Sequence, residues 1–77
     1  MKTEVLFFGI IVDITGKNRM EIDNCKDTFS IKTAILNEFP KLNSYKFVMT
    51  VRNQIVSDNK ILNNGDVVAF LPPFAGG

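Results

Sequence analysis

Histidine and tryptophan are absent from the 77-residue chain, and cysteine occurs once, at Cys25. Without His there is no imidazole to serve as a general base or zinc ligand, and a lone cysteine forms no internal disulfide. The carboxylates Glu4, Asp13, Glu21, Asp23, Asp27, Glu38, Asp58 and Asp66 are scattered along the chain, so no nucleophile–base pair or metal-ligand set stands out. No bound metal is expected, Cys25 reads as an inert thiol, and self-sufficient catalysis is not expected. Nine basic residues against eight acidic leave a net charge of +1, with no Lys/Arg cluster of the kind that neutralises phosphates, so nucleic acid is not an expected partner. No apolar run approaches the ~20 residues of a membrane-spanning helix. Met1-Lys2-Thr3-Glu4 leads directly into a strand pattern with no signal-peptide cleavage site, which makes the cytoplasm the expected address.

Apolar residues make up 45% of the chain and seven are Phe, enough for one modest core, so residues 1–77 are expected to form a single α+β domain. Val5-Leu6-Phe7-Phe8 is a continuous apolar run and predicts a strand buried on both faces. Ile10, Ile11 and Ile14 recur at helical spacing before Gly16, which suits the position just past a short helix. Met20 and Ile22 alternate with Glu21 and Asp23, a half-buried strand able to pair with the first through the turn at Gly16-Lys17-Asn18. Ser30 is the expected cap of the main helix, with Ile31, Ala34, Ile35 and Glu38-Phe39 as its core face and Pro40 ending it. Phe47, Met49 and Val51 alternate in a further strand. Asn53-Gln54 reads as a turn and Ile55-Val56 as a short return. Asn63-Asn64-Gly65-Asp66 is the strongest turn signal in the chain, and it launches Val67-Val68-Ala69-Phe70-Leu71, which Pro72-Pro73 terminates. The first and last strands are the most uniformly apolar, so they are expected side by side at the sheet centre.

Residues 67–77 carry no charged side chain, and the segment from Pro72 to Gly77 lies beyond any strand signal. Chain ends ordinarily fray into water, so an apolar end with Phe74 and two glycines is best explained by a partner surface that receives it. Prolines favour an extended path, and at ~3.3 to 3.6 Å per residue the tail reaches on the order of 20 Å. Gly76 and Gly77 lack Cβ atoms, pass through a narrow channel and leave the terminal carbonyl open to reagents. A carboxylate is a poor acyl donor, whereas its acyl-adenylate is open to attack by sulfur or by an amine. Alone, Gly-Gly is equally a flexible chain end; joined to Gly65-Asp66, an apolar final strand and Pro72-Pro73, it points to a tail that is a substrate.

These segments resemble the molybdopterin synthase small subunits, a family of β-grasp, ubiquitin-like sulfur carriers. The resemblance runs through Leu6-Phe7-Phe8-Gly9, Gly16, Val51-Arg52-Asn53-Gln54, Leu62, the run from Gly65 to Pro73 and the closing Gly76-Gly77. It implies that an E1-like adenylating enzyme uses ATP to activate Gly77, that a sulfur donor converts it to a thiocarboxylate, and that the large synthase subunit then takes the tail and its sulfur. It also implies that Gly76 gives access, that Phe70, Leu71, Pro72, Pro73, Phe74 and Ala75 dock on partners, and that the chain binds no cofactor of its own. Val12-Asp13 stands where members often have Arg-Glu, and Leu71 where Phe is common. A carrier for thiazole or another product, or a protein modifier in which an amine attacks Gly77, shares the same terminal chemistry. A plain interaction domain with an inert tail would show no ATP-dependent change at Gly77.

Overall fold

The computed structural model describes residues 1–73. Along them run β1 (Lys2–Phe7), α1 (Ile10–Thr15), β2 (Arg19–Asp23), α2 (Thr28–Glu38), a 3-10 turn (Pro40–Ser44), β3 (Val48–Val51), β4 (Gln54–Val56) and β5 (Val67–Leu71). The strands form one mixed sheet in the order β2-β1-β5-β3-β4. β1 and β5 are parallel, with Val5 opposite Val68 and Phe7 opposite Phe70; the other pairings are antiparallel. The expected adjacency of the first and last strands is therefore met, with β5 at the exact middle of the sheet.

Ile31 and Ile35 of α2 are buried in one cluster with Val5, Phe7, Met49, Val51, Val68 and Phe70 of the sheet, closed by Ile11, Leu42 and Leu62. Phe70 is the aromatic hub, its ring centroid 5.8 Å from that of Phe7 and 5.2 Å from that of Phe47. This packing occupies one face of the sheet and corrects the expectation for β1. Thr3, Val5 and Phe7 are buried, but Glu4 and Leu6 on the other face are only half-buried, and Phe8 lies beyond the strand with 43% of its surface exposed. Strand side chains alternate between faces, and α2 covers only one of them.

Three local expectations also shift. Glu38, expected on the core face of α2, is exposed and pairs with Lys17, as suits a carboxylate. Asp27, not Ser30, caps α2: its Oδ1 accepts from the Ser30 backbone N–H at 2.9 Å, which places Ser30 in the first turn. Asn59 completes the cap from a distant loop, its Oδ1 accepting from Phe29 N–H at 3.0 Å and its Nδ2 donating to Asp27 at 3.2 Å. The β3–β4 turn is Arg52-Asn53, with φ of 50° and 64°, while Gln54 already pairs with Val51. Positive φ at both central residues is what a two-residue type I′ hairpin demands. α1 and its glycine stop are as expected, Gly16 sitting in the left-handed region at φ 73°.

Candidate functional site: the end of the central strand

The path of the chain toward its C-terminus is fixed first at the turn before β5. Gly65 adopts φ 86° and its N–H donates to Lys2 O at 2.8 Å, while Lys2 N–H donates to Asn64 Oδ1 at 2.8 Å and Glu4 N–H to Asp66 O at 3.0 Å. These bonds tie the turn to the start of β1. Asp66 Oδ2 accepts from Asn63 N–H at 2.7 Å and from Arg52 Nη2 at 2.8 Å, linking the same turn to the β3–β4 hairpin. β5 thus enters the sheet with both neighbours already in register.

Along β5 the side chains divide by parity. Val68 and Phe70 are fully buried, which corrects the docking role expected of Phe70: its side chain is core and offers no surface. Val67, Ala69 and Leu71 alternate onto the open face, where they line a shallow groove with Leu6 and Phe8 and with Arg52 and Asp66. Leu71 is half-buried there, as is Pro72 beyond it; Pro73 is exposed. Of the expected docking residues, Leu71 is brought together with Leu6, Phe8 and Val67, three apolar side chains not expected at a surface; Pro72 lies against Gly9 and Pro73 lines a different groove, on the helix side. Strand geometry puts Leu6 on the face opposite Val5 and Phe7, but the unbroken apolarity of the run carries no signal of which face is open.

The chain leaves the sheet over a close backbone contact. Phe8 N–H donates to Phe70 O at 3.2 Å, and Gly9 adopts φ 59° with ψ −138°. A Cβ at Gly9 would lie 2.9 Å from Pro72 Cγ, so the ring of Pro72 rests where any side chain at position 9 would stand. Only glycine readily combines that backbone conformation with that approach. The expected tail residues Phe74, Ala75, Gly76 and Gly77 lie outside the described residues.

Cys25 is half-buried between β2 and α2, and its thiol pKa is raised, first by burial and then by the Asp27 carboxylate. A thiol held in that form is a weak nucleophile at neutral pH. Among the described residues no group of three His, Cys, Asp or Glu side chains is placed to hold a metal, and no helix is long and apolar enough to cross a membrane.

Residues 5–77 match the ThiS family. Over its full length the chain is 30% identical to the molybdopterin synthase sulfur carrier subunit of Mycobacterium tuberculosis, covering 99% of that protein. Among solved structures, it is similar to a chain in the complex of subunits 1 and 2 of molybdopterin-converting factor from Helicobacter pylori, with 29% identity, a TM-score of 0.73 and complete coverage of both chains. SAMP1 from Haloferax volcanii superposes with a TM-score of 0.82 at 18% identity, again over the whole of both chains. That likeness shows a shared β-grasp, ubiquitin-like fold.

Proposed function

This chain belongs to the ThiS family, and from that membership we propose that it is the sulfur-carrier subunit of a molybdopterin synthase, with the Gly77 carboxylate as its reactive group. The observation that carries the proposal is the 30% identity to a sulfur carrier subunit of that synthase, sustained from one end of the chain to the other. The described geometry supports it. The central strand delivers Pro72 and Pro73 to the sheet end beside an apolar face, and the charged pair at the rim of that face, Arg52 and Asp66, is closed on itself at 2.8 Å.

On this proposal an E1-like enzyme binds the chain in the cytoplasm, and the Gly77 carboxylate attacks the α-phosphorus of ATP, releasing pyrophosphate. Sulfide-level sulfur from a donor then attacks the acyl carbon, breaking its bond to AMP and leaving a C-terminal thiocarboxylate. The large synthase subunit takes in the tail and receives the sulfur for the dithiolene; a large-subunit partner is supported by the complex that subunits 1 and 2 of the Helicobacter pylori molybdopterin-converting factor form. Leu6, Phe8, Val67 and Leu71 form the docking face, Gly76 clears the approach, and side-chain catalysis belongs to the partners. The chain itself holds no cofactor.

Deletion of Gly77 tests the proposal. Synthase activity reconstituted with the adenylating enzyme, ATP, a sulfur donor and the large subunit is expected to vanish, while the melting temperature stays at the wild-type value. Activity retained by the deletion variant would overturn the carrier role.

A further inference from the structure

Charge is distributed unevenly along β5. At the start of the strand, on the open face, Arg52 and Asp66 neutralise each other. On the helix side, Pro73 shares a groove of about 470 Å³ with Lys32 and Leu36 of α2 and with Tyr45, Lys46 and Phe47 at the approach to β3. None of the described residues lining this groove is acidic. Neither Lys32 nor Lys46 belongs to an ion pair among the described residues, and Glu38, further along α2, is engaged by Lys17 at 3.9 Å. Lys32 Nζ instead lies 5.9 Å from the centroid of the Phe47 ring, a cation held over an aromatic face. In a chain whose net charge is only +1, two uncompensated cations thus flank the base of a tail with no charged side chain.

We propose that this groove receives an acidic segment of the large synthase subunit, and that Lys32 and Lys46 set the orientation in which the tail is presented. The proposal rests on the carrier role above. An apolar face and an uncharged tail give affinity with little directional information, whereas complementary charges fix register and speed encounter. Pro73 lines the groove and immediately precedes Phe74, so a protein that holds the tail also meets the lysines. Leu36, Tyr45 and Phe47 supply apolar contact beneath the charges, and the pairing of cations with aromatic surface suits a segment that mixes carboxylates with apolar side chains.

The test is calorimetric titration of the large subunit with the intact chain at low and high salt. It compares wild type, Lys32→Glu/Lys46→Glu and Lys32→Gln/Lys46→Gln, with a thermal melt of each sample. Both lysines are exposed, so all three proteins are expected to melt alike. Charge reversal is expected to weaken binding roughly tenfold or more at low salt and to invert the salt dependence of wild type, while the glutamine pair weakens binding less and loses much of that dependence. Affinities within about twofold of wild type in both variants would overturn the groove's role while leaving the carrier role standing. Tighter binding on charge removal would also overturn it, because the lysines would then be holding this chain's own C-terminal carboxylate. A wild-type chain with no affinity for the large subunit would overturn the carrier role, and this inference with it.

Discussion

Phe70 and Leu71 are adjacent in sequence and opposite in surroundings: the first is fully buried among Phe7 and Phe47, and the second lies half-buried on the open face. Phe70→Ala removes a ring from a packed core and is expected to cost about 3–5 kcal/mol in denaturant melts. Leu71→Ala removes a partly exposed side chain and is expected to cost about 1 kcal/mol or less, yet to weaken large-subunit binding by ~2 kcal/mol. Titration and melts on the same samples separate the two effects. Equal loss of stability in both variants would contradict the assignment of faces. Cys25 is the other residue with a distinct expectation. Its pKa is raised by burial and by Asp27, so it is a poor relay for sulfur, and Cys25→Ser is expected to be loaded with sulfur at the wild-type rate. Loss of loading in a folded Cys25→Ser protein would show that a persulfide passes through it.

At the level of elements, what the sequence made legible was whatever depends on neighbours along the chain. Gly65-Asp66 followed by an apolar run and Pro72-Pro73 located β5, and the isoleucine spacing before Gly16 located α1. The cap of α2 was harder, because half of it comes from Asn59, some thirty residues downstream. Which face of β1 is open depends on where a single helix lies, and the contact of Gly9 with Pro72 depends on the parallel pairing of the two ends of the chain. No local pattern encodes these. The cap has a measurable pH signature. Hydrogen bonds from Ser30, and then from Asn59, lower the Asp27 pKa below its ordinary value. A depressed folded-state pKa contributes stability that is fully present above the unfolded value, ~3.9, and is lost as pH falls through the folded value. Asp27→Asn keeps an acceptor at the cap but cannot titrate. The melting-temperature advantage of wild type over this variant is therefore expected to be constant near neutrality and to shrink below about pH 4. An advantage unchanged by acidification would contradict the cap.

For the whole molecule, the β-grasp fold places a segment without charged side chains after its central strand. The apolar face of Leu6, Phe8, Val67 and Leu71 runs along one side of that strand, and the basic groove of Lys32 and Lys46 lies on the other, beside Pro73. Family membership was legible in the sequence because the run from Gly65 to Gly77 is continuous. The apolar face was not, because it is assembled from both ends of the chain. The central claim is that Gly77 carries sulfur, and intact mass spectrometry of the chain after incubation with the adenylating enzyme and a sulfur donor, with and without ATP, tests it most directly. The expected result is a shift matching one sulfur in place of one oxygen, assigned to Gly77 by fragmentation and seen only when ATP is present. An unchanged mass in the presence of ATP, or Gly77 found joined to a lysine amine instead, would contradict it.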